Sequence, residues 1–106
     1  MANNISDHIK LILKDLPKDS GVYQYFDENG KILYIGKAKN LKNRVKSYFI
    51  GDQFGKTKVL VKKIFTIKYI IVETEQDALL LESNLIKKYR PPYNILLKDD
   101  KTYPWI

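Results

Sequence analysis

A chain of 106 residues, 44% of them hydrophobic and 12% aromatic, is long enough to fold as one domain with its own core, which excludes a disordered polyelectrolyte. It has no cysteine, so a disulfide framework and a thiolate metal site are excluded as well. A formal net charge of +7, carried almost wholly by lysine, favours a polyanionic partner such as nucleic acid, although a lysine-rich solvated surface gives the same value. No apolar run approaches the roughly 20 residues of a membrane span, and a secretory signal is lacking, so we expect a cytoplasmic protein.

The first part of the chain predicts a helix followed by a β-hairpin. Apolar residues at helical spacing over residues 5–16 predict the helix, with Ser6 as its N-terminal cap. Residues 21–26 and 31–37 are predicted strands, and the Asn-Gly pair at residues 29–30 predicts a two-residue turn between them.

The rest of the chain predicts three helices and a third strand. Asn40 caps a helix whose apolar stripe is formed by Leu41, Val45, Tyr48 and Phe49. A short helix over residues 57–64 and a strand over residues 66–73 follow. Thr74 then begins a capping box for the strongest helix, which covers residues 75–89.

This order of elements predicts an α+β fold, with a small three-stranded antiparallel sheet flanked by helices. We expect residues 1–106 to form a single domain with a core at about residues 16–97. Because the sequence finishes on the apolar pair Trp105-Ile106, we also expect a fragment of a longer multidomain protein.

Four residues of the predicted hairpin share one face of the sheet. With the turn at residues 29–30, Tyr25 lies opposite Tyr34 and Tyr23 lies opposite Gly36, and opposed residues point to the same side. Gly36 leaves space beside the phenol rings. Aromatic pairs across strands also stabilise a sheet by packing alone, so the cluster by itself does not establish chemistry.

The long helix carries a carboxylate within its apolar stripe. At about 100° per residue, Glu82 falls near the centre of the stripe formed by Ala78, Leu79, Leu81, Leu85, Ile86 and Tyr89. A carboxylate there has to be paired, protonated or bound to a metal ion, because burying it alone costs on the order of several kcal/mol. A functional role and an internal salt bridge to Arg44 or a lysine both meet this requirement.

Arg44 lies at the margin of its own helix's apolar stripe, where a planar guanidinium suits bidentate contact with a phosphate. The residues predicted to contact nucleic acid are Lys39, Lys42 and Lys46. Lys37 follows Gly36 and suggests a phosphate-binding loop, but the spacing from Gly30 and the alanine at position 38 exclude the NTPase motif.

Taken in order, these residues resemble the GIY-YIG nuclease superfamily. The resemblance rests on Gly21-Val22-Tyr23, Tyr34-Ile35-Gly36, Lys37, Asn40-Leu41, Arg44, Glu82 and Tyr93-Asn94. Within that superfamily, "LPKDSGVY", "YIGKAKNLKNRVKSYF", "DALLLESNLIKKYRPPYN" and "LLKDDKTYPWI" are similar to the N-terminal domain of the UvrC family of excision nucleases, over residues 16–106. Ser20 and Val22 depart from the usual pattern without changing a reactive group.

The resemblance implies a metal-dependent endonuclease that makes the 3′ incision at a lesion in nucleotide excision repair. It implies damaged double-stranded DNA as substrate, a UvrB-type helicase as partner, and a monomeric domain. The active site it implies consists of Tyr23, Tyr34, Lys37, Arg44, Tyr48 and Asn94, with Glu82 as the sole protein ligand of Mg²⁺ or Mn²⁺.

Within that site we expect Tyr34 to be the general base and Tyr23 to orient the attacking water, although the sequence does not separate the two roles. Lys37 is expected to favour the phenolate form of the base. Two alternatives stay open: a non-catalytic DNA-binding or partner-docking module of the same fold, and another structure-selective GIY-YIG nuclease.

Overall fold

The computed structural model describes residues 7–50 and 54–101. Its elements in chain order are α1 (Asp7–Asp15), β1 (Gly21–Phe26), β2 (Ile32–Ala38), α2 (Leu41–Ser47), α3 (Gly55–Lys63), β3 (Thr66–Ile71), α4 (Glu75–Tyr89) and α5 (Pro92–Lys101). The predicted α+β class is confirmed. Ser6, the predicted first cap, and the end of the tail, residues 102–106, lie outside the described residues.

The strands form one antiparallel sheet in the order β2-β1-β3, so the hairpin strand β1 is central. Tyr25 pairs with Tyr34 and Tyr23 pairs with Gly36 across β1 and β2, which confirms the predicted register. The four residues therefore share one face of the sheet, as the sequence predicts.

The hairpin turn differs from the predicted two-residue turn. The amide of Gly30 donates to the carbonyl of Asp27 at 3.0 Å, and the amide of Asp27 donates to the carbonyl of Lys31 at 2.9 Å, so residues 28–30 form a three-residue loop. Gly30 has a φ of 82°, which glycine adopts without steric cost. A register shift then follows beside Tyr25, and this bulge restores the pairing that a two-residue turn gives.

The two faces of the sheet bury different side chains. One face is covered by helices, and the side chains between sheet and helices form a large cluster. This cluster includes Tyr23, Tyr25, Tyr34, Leu41, Val45, Tyr48 and Phe49. The opposite face is smaller and aliphatic, with Val22 and Ile35 buried against Ala78 of α4. Alternation along β1 and β2 produces this separation, because successive side chains point to opposite sides.

Several predicted boundaries require correction. β3 ends at Ile71, two residues before the predicted end, and α3 begins at Gly55, two residues before the predicted start. On α4, Leu79 and Tyr89 are predicted within the apolar stripe but are 51% and 47% exposed, because only one edge of the helix meets the sheet.

The helix α5 is absent from the sequence-based prediction, since two consecutive prolines usually end a helix. Pro92 is instead the first residue of the new helix, a position where the missing amide hydrogen bond and the fixed φ cost nothing. Arg90, with a φ of 45°, ends α4 in the left-handed conformation and turns the chain into α5.

Among residues 7–50 and 54–101, every helix is too short or too polar to cross a lipid bilayer.

Candidate active site

Three phenol groups converge on the helix-covered face of the hairpin. Tyr23 and Tyr34 come from the paired strands, and Tyr48 comes from the end of α2, whose Leu41 and Val45 hold it against the sheet. The Oη atoms of Tyr23 and Tyr48 are 3.0 Å apart and share a hydrogen bond. The ring of Tyr34 lies 6.2 Å from that of Tyr23 and 6.3 Å from that of Tyr48.

Gly36 makes this arrangement possible by its lack of a side chain. A Cβ atom at position 36 would overlap Oη and Cζ of Tyr23, the residue that faces it across the strands. Its backbone φ is not in the left-handed region, so the need for glycine here is one of space.

The environment of Tyr23 and Tyr34 raises the pKa of both phenols. Burial raises the pKa of Tyr23 well above its usual value of 10.0, and the neighbouring Tyr48 and Tyr34 raise it further, while Arg44 acts in the opposite direction. Burial also raises the pKa of Tyr34, followed by the charge and hydrogen bond of Tyr48, and Glu82 adds to the rise. A base at this position therefore needs nearby positive charge in order to ionise.

Arg44 supplies positive charge beside these phenols. Its guanidinium carbon lies 5.4 Å from the centre of the Tyr48 ring. Burial lowers the pKa of Arg44, but Tyr23, Tyr48 and Tyr34 more than offset this and raise it on balance, so the guanidinium stays charged. It lines an open cleft, where it can meet a phosphate.

Asn94 braces β2 from the first turns of α5. Its Oδ1 accepts from the amide of Ile35 at 2.8 Å, and its Nδ2 donates to the carbonyl of the same residue at 2.8 Å. This pair of bonds fixes the backbone between Tyr34 and Gly36, so Asn94 acts on the site through the strand.

Glu82 lies half-buried in the middle of α4, on the helix that covers the opposite face of the sheet. Its negative charge nevertheless raises the pKa of Tyr34, whose side chain lies on the other face of β2. Among the described residues, no group of three or more His, Cys, Asp or Glu side chains can hold a metal ion. A single carboxylate of this kind fits Mg²⁺, which keeps several waters and takes one or two carboxylates together with phosphate oxygens.

A cleft of about 480 Å³ opens beside the phenol cluster, between the end of β2, the outer face of α2 and the start of α4. It is lined by Lys37, Ala38, Lys39, Asn40, Asn43, Arg44, Ser47, Glu75 and Ala78. Sequence reasoning identifies Lys37, Lys39 and Arg44 among these, but it misses Asn43, Ser47 and Glu75. Recurrence of polar residues at positions 40, 43, 44 and 47 is the helical signal that marks this face of α2.

The three lysines predicted to contact nucleic acid lie in different surroundings. Lys39 lines the cleft and lies 3.1 Å from the Glu75 carboxylate. Lys42 donates instead to the carbonyl of Lys14 at 3.2 Å, at the C-terminal end of α1. Lys46 is exposed, and the helical period places it with Lys42, away from the cleft.

Lys37 lies on the wrong face of β2 for its expected role, which is to favour the phenolate form of Tyr34. It follows Gly36 on β2, so alternation places it on the face opposite to Tyr34. The main influences on the pKa of Tyr34 are burial, Tyr48, Arg44 and Glu82. Lys37 is exposed at the cleft, which suits contact with a phosphate better than activation of the phenol.

The paired motifs Gly21-Val22-Tyr23 on β1 and Tyr34-Ile35-Gly36 on β2, joined with Arg44 on α2 and Glu82 on α4, define a domain of the GIY-YIG class. The family model of the UvrC-like GIY-YIG domain matches residues 19–95. The chain belongs to this family of UvrC-like GIY-YIG domains.

A curated relative from Flavobacterium psychrophilum, UvrABC system protein C, is 66% identical over 100 residues, which cover 92% of this chain. The match covers only 16% of that protein's length, so the chain spans about a sixth of it. The UvrABC system protein C of Bacteroides fragilis is 62% identical over 102 residues, and the match covers 95% of this chain and 17% of that protein.

Solved structures agree with the same assignment. The GIY-YIG N-terminal endonuclease domain of UvrC from Thermotoga maritima, bound to its catalytic magnesium ion, has a TM-score of 0.75 and 38% sequence identity. The alignment covers 84% of this chain and 98% of that domain. The three-stranded antiparallel sheet flanked by helices is thus the fold of this endonuclease family.

Proposed function

We propose that this domain hydrolyses a phosphodiester bond of DNA with the help of a divalent cation, and that it makes the 3′ incision beside a lesion in nucleotide excision repair. The observation that carries the proposal is the convergence of Tyr23, Tyr34 and Tyr48 with the Arg44 guanidinium at one end of a cationic cleft. Phosphodiester hydrolysis needs a group that takes a proton from water and a group that stabilises the charge building on the phosphate, and this cluster has both.

Tyr34 is the proposed general base. It is slightly more exposed than Tyr23, at 6% against 1%, and it is the phenol whose pKa responds to Glu82. Tyr23 is engaged by Tyr48 through a buried hydrogen bond, which suits a group that orients the water. Asn94 keeps Tyr34 in place by fixing the next residue of β2.

Arg44 is the proposed anchor of the scissile phosphate. A guanidinium that lines the cleft can bind two phosphate oxygens at once, and Arg44 also contacts the Tyr48 ring. Lys37 adds a second charge in the same cleft. Both residues act on charge that increases in the transition state, so they contribute to turnover more than to substrate binding.

Glu82 is the proposed ligand of the divalent cation, Mg²⁺ or Mn²⁺. The Glu82 carboxylate is half-buried and supplies the hard oxygen ligands that Mg²⁺ prefers. Glu82 would hold the cation, and the cation would offset the carboxylate charge, polarise the phosphate and stabilise the leaving oxygen. The relative from Thermotoga maritima binds its catalytic magnesium in the same fold.

Damaged double-stranded DNA is the proposed substrate, and a UvrB-type helicase is the proposed partner that presents it to a monomeric, cytoplasmic domain. The charge of +7 supports sequence-independent phosphate contact. Since this chain matches only 16% of the length of its relative from Flavobacterium psychrophilum, we propose that it acts as one domain of such a protein.

Glu82→Gln tests the proposal, because glutamine keeps the shape of the side chain but not its charge. We expect an unchanged circular dichroism spectrum and thermal unfolding, loss of Mg²⁺ binding by calorimetry, and a loss of 3′ nicking on the order of 10² or more in the reconstituted repair reaction. Glu73→Gln, an exposed carboxylate just before the same helix, is the matched control. Full nicking by Glu82→Gln would contradict the metal assignment.

A further inference from the structure

The outer face of α2 is a polar wall of the cleft. Asn40, Asn43, Arg44 and Ser47 recur at helical spacing and all line it, whereas Leu41 is buried on the other side of the helix. An extended strand that lies along this wall meets amide, hydroxyl and guanidinium groups in succession. Arg44 joins this wall to the phenol cluster through its contact with the Tyr48 ring.

An ion pair crosses the cleft. The Nζ of Lys39, just before α2, lies 3.1 Å from Oε2 of Glu75, in the first turn of α4. Lys39 and Glu75 are also two of the residues that line the cleft. The pair therefore joins its two walls, and among the described residues that line the cleft Glu75 is the only one with a carboxylate.

The pair is suited to exchange. The two side chains are 80% and 60% exposed, and ion pairs in that environment are worth little because water and salt screen them. The ammonium of Lys39 carries three donors on a flexible stem, so it can leave a carboxylate for a phosphate without a change in the backbone.

We propose that the Lys39–Glu75 pair is an electrostatic latch on the nucleic-acid cleft: in the isolated domain Glu75 withholds Lys39 from the phosphates of a strand that lies along α2, and thereby lowers the affinity of the domain for DNA. This inference rests on the proposed function and deepens it. A latch of this kind restrains the isolated domain from binding undamaged DNA, and the restraint is overcome when a partner delivers the strand.

Binding of a mixed-sequence DNA duplex tests the latch, measured by fluorescence anisotropy in EDTA so that no cutting occurs, over a series of salt concentrations. Glu75→Gln is expected to raise affinity about three- to tenfold at low salt. It is also expected to steepen the plot of log affinity against log salt by about 0.9, the value for one further phosphate contact, because Lys39 becomes available. Circular dichroism checks that α4 is intact in every variant.

Glu73→Gln is the matched control, since it makes the same change of charge two residues away but does not line the cleft. It is expected to raise affinity by less than about twofold and to leave the salt slope unchanged. Lys39→Ala in the Glu75→Gln background is expected to return the slope to that of the original protein.

Equal effects of Glu75→Gln and Glu73→Gln would overturn the latch and leave only a general effect of charge. So would a steeper slope that persists after Lys39→Ala. Either result, together with metal-dependent nicking that Glu82→Gln abolishes, would leave the proposed nuclease function standing. Absence of binding in every variant, with no nicking, would overturn the latch and the nuclease function together.

Discussion

The two faces of the hairpin share one backbone but carry different side chains, aromatic on one face and aliphatic on the other. On one face, Tyr23, Tyr25 and Tyr34 lie against further aromatic rings, with hydroxyl groups and a guanidinium among them. On the other, Val22 and Ile35 pack against α4 in a small aliphatic layer. Alternation by one residue thus separates a face that carries titratable hydroxyl groups from one whose buried side chains on β1 and β2 are aliphatic.

Tyr34→Phe has the largest expected effect on the aromatic face. Removal of the proposed base should lower 3′ incision by about 10⁴ at every pH, because a phenyl ring packs equally well but cannot ionise. Tyr23→Phe should retain slow cutting, since on this view it loses only a hydrogen bond that positions water. Single-turnover nicking of a lesion-bearing duplex, with the partner proteins present, measures both. A smaller loss in Tyr34→Phe than in Tyr23→Phe would reverse the two roles.

Arg44→Ala is expected to lower turnover on the order of 10² with little change in stability, because its charge acts on the transition state. Lys46→Ala removes the same charge from the same helix, on a face turned away from the cleft, and should lower turnover less than about threefold. Rates at saturating DNA and thermal unfolding decide the comparison. Strong destabilisation by Arg44→Ala would favour a purely structural role for the guanidinium.

Gly36→Ala tests how tightly the two strands hold the phenols. The added methyl group overlaps Tyr23, so we expect a loss of about 1–3 kcal/mol in stability and of about 10 to 10² in rate. Gly30→Ala is the control, because its φ of 82° costs an alanine backbone strain but open space surrounds it. Gly30→Ala should destabilise the domain without lowering the nicking rate of the molecules that remain folded. Equal rate losses in the two variants would show that strand stability, and not the room beside Tyr23, controls the site.

Tyr25→Phe has the smallest expected effect and concerns a fully buried tyrosine of the aromatic face. Among the described residues, the Tyr25 hydroxyl is a buried group without a hydrogen-bond partner, so its removal should stabilise the domain by up to about 1 kcal/mol near pH 7. Burial raises the pKa of Tyr25, as it does for Tyr23 and Tyr34.

The raised pKa values also predict loss of stability in alkali. Above about pH 10 the unfolded chain releases tyrosine protons that the folded chain keeps, so the free energy of unfolding falls as pH rises. Each retained proton contributes a slope of about 1.4 kcal/mol per pH unit. Tyr25→Phe should reduce the slope by an amount that grows towards one proton as the pH of the urea titrations rises from about 9 to 11, and an unchanged slope would show that this phenol ionises in the folded state.

The sequence is most informative where a pattern is local and periodic. The pairing of Tyr23 with Gly36 follows from alternation, and the start of α4 follows from Thr74, whose Oγ1 accepts from the amide of Asp77 at 3.0 Å. The predicted turn is wrong because the Asp27 side chain accepts from the amides of Asn29 and Lys31, both at 2.9 Å, and so organises a longer loop than Asn-Gly alone predicts.

Features that depend on tertiary contact are not accessible in the same way. The helical periodicity of the sequence does not show that Leu79 is exposed, because the rotation of a helix about its own axis on a sheet depends on the neighbouring elements. Nor does it show that Lys42 is engaged by the end of α1 or that Glu75 meets Lys39, because both contacts join elements far apart in the sequence.

The side-chain amide of Asn94 also affects whether another copy of this domain can pair with the edge of the sheet. β2 is an edge strand, and edge strands offer unpaired amides and carbonyls to which another chain can add a strand. By bonding both backbone groups of Ile35 at 2.8 Å, one side chain takes the place of that foreign strand in the middle of the edge. The residue that steadies a strand of the proposed catalytic site therefore also opposes the addition of a foreign strand at the middle of β2.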